Sequence, residues 1–69
     1  MPILSHISGN LLDNQSDEVN MIFANRLMTY AFHYATIEQW ECAAERFIDA
    51  KEPMDKVLVA QMFFYQVTH

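Results

Sequence analysis

Glycine occurs once in this chain of 69 residues, cysteine once and proline twice. The lone glycine, Gly9, excludes a glycine-rich loop that could cradle phosphate. The lone Cys42 excludes an internal disulfide, and an isolated thiol suits a reducing compartment. Cations are scarce as well. Arg26, Arg46, Lys51 and Lys56 stand against nine acids, a net charge of −5 with neutral histidines. Affinity for nucleic acid comes largely from neutralising phosphates, so no direct nucleic-acid binding is expected. The same balance argues against an anionic membrane surface. Long hydrophobic runs are missing too. The richest stretch, Val57 to Val67, is too short to span a bilayer and is interrupted by Gln61 and Gln66. Met1-Pro2-Ile3-Leu4-Ser5 has no positive region ahead of an apolar run, so no secretory signal is read. The expectation is a cytoplasmic protein with no membrane role.

What the chain has in quantity is apolar surface. Hydrophobic residues make up 52% of it and aromatics 13%. That composition suits packed helices rather than disorder. A domain this small hides only about 60% of the surface its unfolded chain exposes, so its core is thin. Small folds usually need a disulfide, a metal or a partner to complete them.

Residues 1–15 read as an irregular lead-in, with a turn signal at Ser8-Gly9-Asn10 and a polar cluster at Asp13-Asn14-Gln15-Ser16. Residues 16–69 read as one all-α domain of three helices over roughly 16–35, 37–51 and 54–67. Ser16 is a good N-cap, with Asp17 and Glu18 in the first turn where the helix dipole favours acids. Asn25, Arg26, Thr29 and His33 share one polar sector of the first helix. Its apolar arc is much wider than the ~100° stripe of an ordinary surface helix, so cover from two sides is expected. Thr36 and Gln39 form a T-x-x-Q capping box for the second helix. Ile37, Trp40, Ala43, Ala44, Phe47 and Ile48 make its apolar face; Glu38, Glu41, Cys42, Glu45, Arg46 and Asp49 line the other. The short link at Ala35-Thr36 predicts an antiparallel hairpin of helices one and two, with a third helix added. Pro53 suits the first turn of that third helix. Val57-Leu58-Val59 and Phe63-Phe64-Tyr65 would suit a strand equally well, but no partner strand is evident.

Leu27, Ala31, Tyr34, Trp40, Ala43, Phe47 and Ala50 follow one another at spacings that resemble a single tetratricopeptide-type repeat, closed by Pro53 slightly early. The usual glycine positions are not glycine, and one unit fits. The resemblance implies a peptide- or protein-binding scaffold, of the kind found in small chaperones of bacterial secretion systems. Ala31 and Ala43 would let its two helices approach while Tyr34, Trp40 and Phe47 fill the gaps. One such unit cannot bury its face alone and would need helices from a partner or a second copy.

Chemistry finds little support. His6, His33, His69 and Cys42 offer no metal-ligand spacing, and no metal or other cofactor is expected. His33 in a polar sector is ordinarily solvated or locally hydrogen-bonded. A Cys42–His33 dyad would need positive charge to lower the thiol pKa, whereas a free cysteine at a core border behaves as a small hydrophobe. No catalytic residue is assigned, and an enzyme is not expected.

Binding is better supported. Met21, Met28, Phe32, Leu58, Met62, Phe63, Phe64 and Tyr65 exceed what three short helices can bury, and such excess marks an interface. The expectation is a protein-protein interaction module, adaptor- or chaperone-like, joined to itself or to a protein partner. A second candidate is the acidic ridge Glu38, Glu41, Glu45 and Asp49. Its ordinary reading is a solvated helix face. Its functional reading is an inhibitor or nucleic-acid mimic, such as those that phages encode.

Overall fold

The structure, a computed structural model, describes residues 16–69; the lead-in expected over residues 1–15 lies outside them. Three helices make up the described chain: α1, Asp17–Phe32; α2, Ile37–Asp49; and α3, Pro53–Thr68. No strand occurs among the described residues, so the β-leaning stretch after Pro53 is helical. Pro53 occupies the start of α3, where its missing N–H costs nothing and its fixed φ suits a helix.

The helix starts follow from local chemistry. The Val19 N–H donates to Ser16 Oγ at 3.2 Å. At α2 the reciprocal box is complete. The Gln39 N–H donates to Thr36 Oγ1 at 3.1 Å, and the Thr36 N–H donates to Gln39 Oε1 at 3.0 Å. Two N–H groups that a helix start would leave unpaired are thereby satisfied. The first helix ends about one turn earlier than expected and the second two residues earlier, whereas the third runs one residue further. α1 stops at Phe32, where His33 caps it and its N–H donates to the Tyr30 carbonyl at 3.2 Å.

The hydrophobic core joins Ala24, Met28 and Ala31 of α1, Ala43 of α2, and Val57, Ala60 and Phe63 of α3. Its dominant packing is α1 against α3; α2 meets α3 less extensively, and α1 and α2 barely touch. The small side chains of Ala24, Ala31 and Ala60 allow α1 and α3 to approach closely. α2 stands farther off and reaches α3 through longer groups. Trp40 lies 6.1 Å from Phe63 between ring centroids, and seven residues on, Phe47 lies under Lys56. Because Lys56 comes seven residues before Phe63, α2 runs back along α3 in the opposite sense. The hairpin expected between the first two helices is therefore formed by the second and third. The short link at 33–36 gave no information about facing, because the alanine faces of α1 and α3 pack better on each other than on α2.

Candidate interaction surface

One aromatic side chain from each helix joins a chain of ring contacts at one end of the α2–α3 pair. Phe32 and Trp40 stack edge to face at 4.9 Å, and Trp40 continues to Phe63. Such pairs add roughly 0.5–1.5 kcal/mol beyond burial. The opposite end of the α2–α3 pair is held by Lys56. Its ammonium donates to the Phe47 carbonyl and lies 4.6 Å from the centre of the Phe47 ring. It thus places a cation at the negative end of α2.

This arrangement sorts the expected interaction residues into two sets. Met28 and Phe63, expected at an interface, are 5% and 4% exposed and belong to the core. Met28 is on the α1 face turned to α3, and Phe63 is clamped beneath Trp40, so neither is free for a partner. Met21 and Phe64 are half-buried. Phe32, Leu58, Met62 and Tyr65 are exposed. On α3 the last three fall at i, i+4 and i+7, one ridge facing away from the core, with Met62 70% exposed. The Tyr65 ring also stacks on His69 at 4.1 Å.

Several exposed apolar residues lie where the sequence pattern pointed inward. Ile37 is 76% exposed and Ile48 is also exposed, although both fall on the apolar face of α2. Trp40, Ala43 and Phe47 use the half of that face turned to α3; without α1 alongside, the other half is uncovered. Glu41 was the available signal, since it interrupts the row Ile37, Glu41, Ala44, Ile48. Tyr34, placed by the repeat resemblance in the gap between helices, is 65% exposed and fills no gap. On α1, Val19, Ile22, Phe23 and Tyr30 are exposed too, so its wide apolar arc is covered chiefly by α3 alone.

Between α2 and α3 a groove of about 940 Å³ opens to solvent. Glu38, Gln39, Cys42, Ala43 and Arg46 form its α2 wall, and Val59, Met62, Phe63, Tyr65, Gln61 and Gln66 its α3 wall. Glu38, Glu41, Glu45 and Asp49 are all exposed on α2, yet only Glu38 lines the groove. His33 and Cys42 are both exposed. Among the described residues no group of three or more histidine, cysteine or acidic side chains is gathered as a metal site. No described helix is long and apolar enough to cross a membrane.

In comparisons with protein-family models, curated proteins and solved structures, nothing matches this chain.

Proposed function

We propose that the protein is a small helical protein-protein interaction module, adaptor- or chaperone-like, that associates through its apolar helix faces. The carrying observation is that eleven large apolar side chains are exposed among the described residues, Ile37 and Met62 most of all. Single exposed apolar residues are normal on a soluble monomer. Eleven of them spread over all three helices, with Met62 and Tyr65 lining an open groove, favour a surface that functions covered. Light scattering on the purified chain tests the reading. A mass above 8.1 kDa is expected, falling toward the monomer when Leu58→Gln and Met62→Gln are combined. A folded 8.1 kDa monomer that stays monodisperse at high concentration would overturn it.

The solvent exposure of all four acids on α2 favours a second reading, an inhibitor that occupies a basic, nucleic-acid-binding protein. Glu41→Lys with Glu45→Lys would then abolish binding to that partner. The wild-type affinity would fall steeply with salt.

A further inference from the structure

We infer that the groove between α2 and α3 is the self-association site, filled by α2 of a second copy lying antiparallel across a two-fold axis at Cys42. This deepens the interaction-module reading and rests on it. Three features of the groove carry the inference.

The first is charge order. Glu38 and Arg46 both line the groove and stand four residues to either side of Cys42. A two-fold interface presents the same patch from both copies, so residue i meets j wherever j meets i. An antiparallel α2 centred on Cys42 therefore places each Glu38 against Arg46 of the other copy, twice over. The second is shape. Cys42, exposed at the middle of the wall, is small, which lets two helix axes come close at their crossing. The third is net charge. Each copy carries −5 and should repel its twin. Yet Glu41, Glu45 and Asp49 do not line the groove, so Glu38 and Arg46 leave it locally neutral. On this acidic protein the groove is a face that a second copy can approach.

The α3 wall completes the fit. Met62 and Tyr65, exposed in the single chain, would flank the incoming helix, and two α2–α3 hairpins would close into a four-helix arrangement. Such bundles bury the side chains of facing helices, which one hairpin cannot do alone.

The charge order provides the test. The 69-residue chain should have twice its 8.1 kDa mass in solution. Glu38→Arg alone, or Arg46→Glu alone, sets like charges together at two places and should raise the dissociation constant at least tenfold. The two combined restore opposite pairing and should return the constant to within about threefold of wild type. Both side chains are exposed, so circular dichroism should show the helices retained in every variant. Mild oxidation should link Cys42 to Cys42 of the second copy, and Cys42→Ser should remove the link. A dimer indifferent to the single swaps, or not rescued by the double, overturns the two-fold groove while leaving association through other apolar faces in place. A monomer at all concentrations overturns both.

Discussion

Asn20 is 3% exposed, and its side-chain carbonyl oxygen is buried without a hydrogen-bond partner among the described residues. A buried polar atom left unpaired costs about 1–3 kcal/mol. Asn20→Leu, similar in volume and a better helix former, should therefore stabilise the fold by about 1 kcal/mol. In a domain of this size that raises the thermal midpoint by roughly 4–8 °C. An unchanged or lower midpoint would mean that the amide has a role the apolar side chain cannot take. Trp40 represents the opposite case, because it touches both neighbouring helices. Trp40→Ala should cost about 2–4 kcal/mol, toward the lower part of the range for large aromatic truncations because the ring is only half-buried. Chemical denaturation would measure that loss. At this scale the sequence was informative about caps and less so about burial. Ser16, Thr36 and Gln39 act through neighbours three residues away, and such contacts depend on little else. Phe63 is buried and Ile37 exposed, the reverse of what their sequence positions suggest, because their surroundings depend on which helix faces which.

At the scale of the helices, α2 illustrates the difference between forming and docking. Its start is secured locally. Thr36→Ala removes the hydroxyl half of the capping box and should destabilise α2 by about 1 kcal/mol. The loss of helical circular dichroism signal on mild heating would reveal it. Its far end is fastened by another helix. Lys56→Met keeps most of the aliphatic stem but removes the donor to the Phe47 carbonyl and the cation over the ring. The expected cost is again about 1 kcal/mol, with weaker salt dependence of stability than in wild type. Helix existence and type were readable locally for α1 and α2, from caps and periodicity; for α3 the local signals were β-leaning, and Pro53 with the lack of a partner strand pointed to helix. The pairing was not readable. A short link between α1 and α2 limits their distance but not their angle, and the preference of Ala24 and Ala31 for the α3 surface decided the matter.

For the whole molecule, the sequence pattern correctly indicated that the chain has more apolar surface than three helices bury. It did not locate all of that surface. The α3 ridge of Leu58, Met62 and Tyr65 coincides with the expected region, whereas Ile37 and Ile48 open a second exposed area on the helix that looked most ordinary. Ile37→Glu therefore provides an informative comparison with the α3 variants. Its side chain lies outside the groove, so the substitution should leave the stability of the single chain within about 0.5 kcal/mol. If self-association uses the groove alone, the mass in solution should also be unchanged. A drop to the monomer would place this second area in the same interface.

The uneven packing of the three helices also predicts how the molecule moves. A helix joined to the rest by one buried alanine, an aromatic contact at one end and a lysine at the other should open as a unit, at less cost than global unfolding. Amide hydrogens of α2 should then exchange with solvent well before those in the middle of α1 and α3. Each opening would release Trp40 from Phe63 and take away the α2 wall, so the most loosely held helix also sets how long the groove stays formed.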